Sequence, residues 1–300
     1  MNILITGGTG LIGKRLTQIL IQKGHKVSVL SRTKKNSNTV TYYTWNIENQ
    51  KIEKEAIANA ELIVHLAGAN VGEGKWSEKR KKEIIDSRVQ SGNLLFQEVK
   101  KHNPNLKAFI SSSAIGYYGM ITRETPFVES DAPGNDFLAE VCTKWENTAN
   151  QFSELSTRVA ILRTGVVLDK KEGALAKLLT PIKLGIGSAL GTGKQAMPWI
   201  HLEDICQMYL HLIENSTISG AFNGVAPQTI TNYEFSKTVA HILNKPFWFP
   251  KVPAFALKIL LGEQSVIALE GSPISAKKIE DSGYKFKFKE LSVALRDILG

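Results

Sequence analysis

A chain of 300 residues, 43% hydrophobic and 22% charged, has the make-up of a globular protein with one large domain or two smaller ones. No apolar run is long enough to cross a bilayer, and Met1 is followed almost at once by a strand-like run that leaves no room for a leader; a membrane is not the expected partner and the cytoplasm is the expected home. The net charge of +9 is scattered over short separate runs, Lys34-Lys35, Lys79–Lys82, Lys277-Lys278 and Lys285–Lys289, which argues against a nucleic-acid partner.

The β-branched run Ile3–Thr6 predicts a strand over 2–6, and the amphipathic run after it a helix over 11–23. Between them lies Gly7-x-x-Gly10-x-x-Gly13, with a second strand at 26–30. A glycine triplet between a first strand and a helix suits a dinucleotide diphosphate: the turn is tight, the backbone can be approached closely, and free amides at the helix start favour an anion. Gly7, Thr9, Gly10, Leu11, Ile12 and Gly13 are the expected contacts. The second strand ends in Ser31-Arg32, where an acidic residue would select the unphosphorylated ribose of NAD(H). Ser31 can donate to a 2′-phosphate and Arg32 can pair with it, so NADP(H) is expected over NAD(H).

Further strands are expected at 61–66, 107–112 and 158–163, with helices near 77–102 and 136–154. This alternation implies a parallel doubly wound sheet, with ligands beyond the strand C-terminal ends. On that edge Leu66, Ala67, Gly68 and Ser111 are expected at the cofactor, and Ala69 and Asn70 at the substrate. Trp76, in the Gly-rich stretch 72–77, could close over it. Arg163 could hold an anionic substrate group or form an internal salt bridge. From about 170 the pattern changes to helices at 174–184, 203–215, 232–244, 254–262 and 288–299, with a glycine-rich loop at 185–193. The expected division is a cofactor domain, 1–168, to which about 195–230 returns, and a smaller substrate-covering portion, 169–300. Trp199 is expected to border the cleft and His201 to be structural. Glu203-Asp204 should open a helix rather than act as paired carboxylates. Cys142 and Cys206 lie far apart, with no ligand spacing around them, so neither a disulfide nor a metal is expected.

The stretches TGGTGLIG (6–13), HLAG (65–68), SSSAIGYYG (111–119), LRTGVVL (162–168) and PWIHLEDI (198–205) resemble the extended short-chain dehydrogenase/reductase superfamily. More narrowly, the chain is similar to sugar-nucleotide-epimerase-like "epimerase family proteins", including their C-terminal domain from about 245 with Pro253–Leu257. The resemblance implies an α/β Rossmann-type doubly wound parallel sheet with helices on both faces, a smaller mixed α/β C-terminal portion, and bound NADP(H). It also implies a Ser beside a Tyr-x-x-x-Lys pair for proton transfer. Ser113 matches the Ser. The pair is absent: taking Lys144 as the lysine puts Glu140 at the tyrosine, and aligning Glu146 with the family's later glutamate puts Leu138 and Cys142 at the pair. Lys144 as a ribose contact and Tyr117 or Tyr118 as a substitute proton donor complete the expected site. The implied activity is an NADP(H)-dependent oxidoreductase or epimerase-like enzyme, a monomer or homodimer, acting on a small polar molecule such as a nucleotide sugar. The alternative is an NADP(H)-binding regulator without turnover.

Overall fold

The computed structural model describes residues 1–300. Its strands are β1 (Asn2–Thr6), β2 (Lys26–Ser31), β3 (Thr41–Asn46), β4 (Lys51–Ile52), β5 (Leu62–His65), β6 (Ala108–Ala114), β7 (Arg158–Thr164), β8 (Val166–Leu168), β9 (Trp199–His201) and β10 (Gly220–Gly224). Eight form one sheet in the order β10-β7-β6-β5-β1-β2-β3-β4, and β8 and β9 form a separate parallel pair. Every pairing in the large sheet is parallel except β3 with β4. The helices are α1 (Leu11–Gln22), α2 (Lys54–Ala58), α3 (Glu78–His102), α4 (Phe137–Asn150), α5 (Gly173–Lys183), α6 (Leu202–Glu214), α7 (Asn232–Ile242), α8 (Ala254–Leu261), α9 (Val266–Leu269), α10 (Lys277–Asp281) and α11 (Leu291–Leu299).

Strand residues alternate between two hydrophobic layers because successive side chains leave a strand on opposite faces. Ile3, Ile5, Val27, Val29, Val64 and Ile110 face one layer with Leu16, Ile19 and Leu20 of α1 and Ile205 and Met208 of α6. Leu4, Leu30, Ile63 and Phe109 face the other, with Leu95, Phe96 and Val99 of α3, Ala149 of α4 and Phe152. The Phe109 and Phe152 rings stack with centroids 3.7 Å apart. Each fully buried Ile, Leu or Phe contributes about 1.5–3 kcal/mol relative to exposure. Both faces are thus covered, which explains why the central strands read as continuous apolar runs. This is the expected Rossmann-type doubly wound sheet.

Two features depart from the sequence reading. The strands β3 and β4 extend the sheet beyond β2; they had no counterpart among the expected strands, because Thr41–Asn46 is only partly buried and β4, at the edge, has two residues. The helix expected over 136–154 is α-helical to Asn150 and tightens into a 3₁₀ turn at Gln151–Leu155. In the later half, β10 pairs with β7 at the sheet edge, and α5, α7, α10 and α11 bury Leu179, Phe235, Ile279 and Leu295 in the α1-side layer. Asp204, buried in α6, accepts hydrogen bonds from the Tyr284 hydroxyl at 2.7 Å and the Lys287 and Phe288 amides at 2.8 and 2.9 Å. Glu203 instead pairs with Arg15 of α1 at 2.7 Å, so the adjacent carboxylates diverge as expected. No helix is long and apolar enough to cross a membrane.

Candidate functional site

Strand order reverses between β1 and β5, and their C-terminal loops meet there. Gly7 has φ +69°, and a Cβ on it would stand 2.9 Å from the Ala67 nitrogen and the Leu66 carbonyl carbon, so only glycine fits. Gly10 caps α1 with extended backbone and no side-chain hydrogen bond, and the first intrahelical bond runs from Lys14 N to Gly10 O at 2.9 Å. The amides of Leu11, Ile12 and Gly13 find no acceptor within the chain. Free amides at the positive end of a twelve-residue helix, in a turn with no acid in its first helical residues, suit a diphosphate.

A buried polar chain fastens this turn to its neighbours. Thr6 Oγ1 accepts from the Leu66 and Ala67 amides at 3.2 Å each, which leaves its proton for His65 Nδ1, 2.7 Å away. Ser91 Oγ donates to the Ser87 carbonyl at 2.7 Å and so accepts from His65 Nε2, at 3.3 Å. This assigns the Nε2–H tautomer. Burial, with Arg88 nearby, pushes the His65 pKa down to about 3, so the ring is neutral.

Arg88 of α3 was not anticipated from the sequence. It is 8% exposed, and its guanidinium carbon lies 2.9 Å from where a Cβ of Gly68 would stand. Its Nη1 donates to the Ala69 and Ile84 carbonyls at 3.0 and 2.9 Å, while Nε is buried without a partner. The cation stacks 4.7 Å from the Trp145 ring, and burial lowers its pKa to about 10. A buried arginine with an unused donor under the loop beside the glycine turn adds to the fit for an anionic cofactor. Within a helix rich in exposed lysines, nothing in the sequence set it apart.

Several expected contacts are engaged elsewhere. Ser31 is not a free donor: its hydroxyl donates to the Thr33 carbonyl at 2.8 Å and shapes the turn, leaving Arg32 exposed beside it. Ser111 is fully buried and its hydroxyl is engaged with the Ser112 carbonyl at 3.0 Å, which corrects its assignment to the cofactor; Ser113, two residues on, is the serine nearer the strand end. The Ala69 amide donates to Ser87 Oγ at 2.9 Å, and Asn70 uses its side chain on Gly72 N and Glu73, so both brace their own loop. Trp76 donates to the Val71 carbonyl at 3.0 Å and meets Phe137 edge-on at 5.0 Å. Lys177 reaches this loop at the Gly72 carbonyl. Trp199 is fully buried in the β8–β9 pair and therefore does not border a cleft. His201, beside it, stacks on Phe288 and accepts from the Glu203 amide at 3.0 Å.

Arg163 and Tyr118 are both tied up inside the fold. Arg163 is 3% exposed and binds Glu146 bidentately, Nε to Oε1 at 2.8 Å and Nη2 to Oε2 at 2.9 Å. It is the internal salt bridge, not a substrate anchor. Its Nη1 donates to the Tyr118 hydroxyl at 3.0 Å, and that hydroxyl donates to Asn223 Oδ1 at 2.7 Å. Tyr118 is 2% exposed and its proton is committed to Asn223, so it is an interior strut and not a donor to substrate; burial also pushes its pKa up to about 12. Ser113 Oγ donates to Glu146 Oε1 at 2.7 Å, so its proton points away from any substrate carbonyl. Tyr117 is half-buried with Arg163 stacked 3.4 Å from its ring centroid, and its hydroxyl makes no hydrogen bond.

A model of the NAD dependent epimerase/dehydratase family matches residues 3–223. The chain belongs to that family. A domain of unknown function (DUF1731) matches residues 252–298. Epimerase family protein YfhF of Bacillus subtilis (strain 168) is 35% identical over all of this chain and 98% of its own. The crystal structure of human epimerase family protein SDR39U1 (isoform 2) with NADPH is 32% identical and covers 99% of each chain with a TM-score of 0.87. That of a nucleoside-diphosphate sugar epimerase from Corynebacterium glutamicum is 27% identical, with a TM-score of 0.80, over 100% of this chain and 58% of that one.

The two registers weighed for the Tyr-x-x-x-Lys pair fall on different faces of α4. Glu140 and Lys144 form an i,i+4 ion pair at 2.5 Å on the exposed face of α4, so the ammonium expected at the ribose is engaged there. Leu138 and Cys142 instead face the chain after β6: a Cβ on Gly116 would lie 3.2 Å from Leu138 Cβ and 3.7 Å from Cys142 Sγ. Burial pushes the Cys142 thiol up to about 12. Helical geometry requires this split, because residues two apart on a helix point some 200° from one another. An apolar leucine and a neutral thiol thus face the turn after β6.

Proposed function

We propose that the protein binds NADP(H) across the β1–β5 switch point and uses it for hydride transfer to or from a small polar substrate. The free amides at the start of α1 carry this reading. Gly7 and Gly10–Gly13 would hold the diphosphate, Arg88 would add charge under the Leu66–Gly68 loop, and Arg32, with Lys34 and Lys35 following, favours a 2′-phosphate where no carboxylate opposes it. The human relative with NADPH supports the same choice. The Corynebacterium relative's name supports a nucleotide sugar as substrate.

When bound, the nicotinamide ring supplies or accepts the hydride. With its proton on Glu146, Ser113 offers only lone pairs and is suited to accept a hydrogen bond from a substrate hydroxyl rather than to polarise a carbonyl. Tyr117 is the remaining phenol with an unused hydroxyl and takes the proton role. A second reading, cofactor binding without turnover, is favoured by Leu138 and Cys142 in place of the relay.

Calorimetric titration with NADPH and NADH tests the binding; tighter NADPH binding is expected, and no heat with either nucleotide refutes the proposal. NADPH consumption over a panel of nucleotide sugars and simple carbonyls then separates the readings. Tyr117→Phe should lower turnover by about a hundredfold or more with binding intact. Tight binding with no turnover on any substrate selects the second reading.

A further inference from the structure

The 17-residue stretch from Lys245 to Leu261 contains Lys245, Lys251 and Lys258, four aromatics and no acidic residue. It contains four of the five most exposed large apolar side chains in the protein: Ile259 at 78%, Trp248 at 72%, Leu260 at 70% and Phe255 at 67%. In α8 only Leu257 is buried, so the helix stands out from the body instead of packing into it. The segment is held firmly at its base. Ser188 Oγ donates to the Pro250 carbonyl at 2.6 Å, and Val252 exchanges backbone bonds of 2.9 Å with Ala189 and Gly191. The neighbouring loop adds exposed Leu184 and Ile186, next to Lys183. The nearest acids are occupied: Glu263 pairs with Lys81 at 2.6 Å, and Glu234 closes the cap of α7.

We infer that residues 245–261 are an interfacial anchor that lays the protein on an anionic bilayer surface. Monomeric proteins do not normally leave this many large apolar side chains clustered in the open without a partner. Trp and Phe flanked by lysines match the headgroup zone, where aromatic rings sit and Lys meets lipid charge. Eight helical residues cannot span a bilayer core, but they can lie in its interface, so this contact is compatible with the absence of a spanning segment. A protruding helix needs no complementary cavity in a fluid interface. A second copy is disfavoured by charge, because a two-fold contact would set this lysine-only ridge against itself.

Full-length protein should sediment with sucrose-loaded vesicles of an equal mixture of phosphatidylcholine and phosphatidylglycerol, should bind phosphatidylcholine alone weakly, and should come off as salt is raised. Tryptophan emission should shift to the blue on binding, and Trp248→Phe should remove the shift. Lys258→Gln should weaken partition about fivefold. Phe255→Ser with Ile259→Ser should weaken it more than tenfold at unchanged melting temperature, since both side chains are exposed. Protein that stays in the supernatant with the mixed vesicles, or equal sedimentation of the double variant, overturns the inference. So does light scattering that shows a native dimer turned monomeric by the same double variant, which would assign the ridge to a second copy.

Discussion

Replacing Gly10 and Gly13 singly by alanine separates the part of the glycine turn that folds the protein from the part that meets a ligand. A Cβ on Gly13 would stand 2.3 Å from the Gly7 carbonyl oxygen and 2.6 Å from the Gly8 Cα. Both are backbone atoms and cannot swing aside, so α1 must move off β1. Overpacking of this kind costs about 1–3 kcal/mol, offset by about 1 kcal/mol of helix propensity. Gly10 differs. Its φ of −79° and ψ of 178° are open to alanine, and its Cβ would meet only the Gly7 carbonyl oxygen, at 3.4 Å. Reduced unfolded-chain entropy and the poorer N-cap of alanine oppose each other, leaving stability within about 1 kcal/mol of wild type. The new methyl would nevertheless stand over the α1 amides and keep a diphosphate away. Urea unfolding should therefore show a lower midpoint for Gly13→Ala alone. NADPH titration should show an affinity loss above tenfold, about 1.4 kcal/mol, for Gly10→Ala in a stable protein. Wild-type NADPH affinity in Gly10→Ala would refute the assignment of this turn to the diphosphate.

Glu146→Gln leaves buried Arg163 short of its counter-charge and should cost about 3–5 kcal/mol in urea unfolding, most of which returns in the double variant with Arg163→Met; strictly additive losses would contradict a coupled pair. His65 binds its proton far below the ordinary value in the folded state, so the unfolded chain takes up that proton first. Stability is therefore full above about pH 7 and falls as pH drops through 6.5 toward about 3, by about 2 kcal/mol at pH 5 from this residue, and His65→Asn should flatten that part of the pH–stability curve. His25, His201 and His211 are also shifted down by burial and add to the slope with the same sign, so the comparison is variant against wild type. Asp204→Ala removes the shared acceptor of Tyr284, Lys287 and Phe288; it should cost about 3 kcal/mol and make the chain beyond 280 an early target in limited proteolysis, whereas an unchanged cleavage pattern would show that other contacts hold it.

The cofactor edge was legible because local chemistry writes it in consecutive residues. A turn that needs positive φ at Gly7 and a helix without an N-cap side chain at Gly10 leave a readable spacing. The central strands were legible for a similar reason: burial on both faces demands unbroken apolar runs. The chemistry-bearing side chains were harder. Arg163, Ser113 and Tyr117 lie on the expected strand ends, but whether an arginine there faces a ligand or a carboxylate depends on Glu146, supplied by a helix 17 residues earlier. Lys144 matched a motif by spacing, yet its helix phase turns it to solvent. Arg88 looked like one more charge in a basic helix until the fold brought it under Gly68.

By itself the sequence determined a doubly wound sheet with a glycine turn at its first crossover, since periodicity and turn chemistry act between near neighbours in the chain. Only the tertiary structure decided which polar groups remain available there. Burial and hydrogen-bond partnership are set by residues distant in sequence, and here they tie down Ser113, Tyr118 and Arg163 while leaving the α1 amides and Arg88 Nε without acceptors.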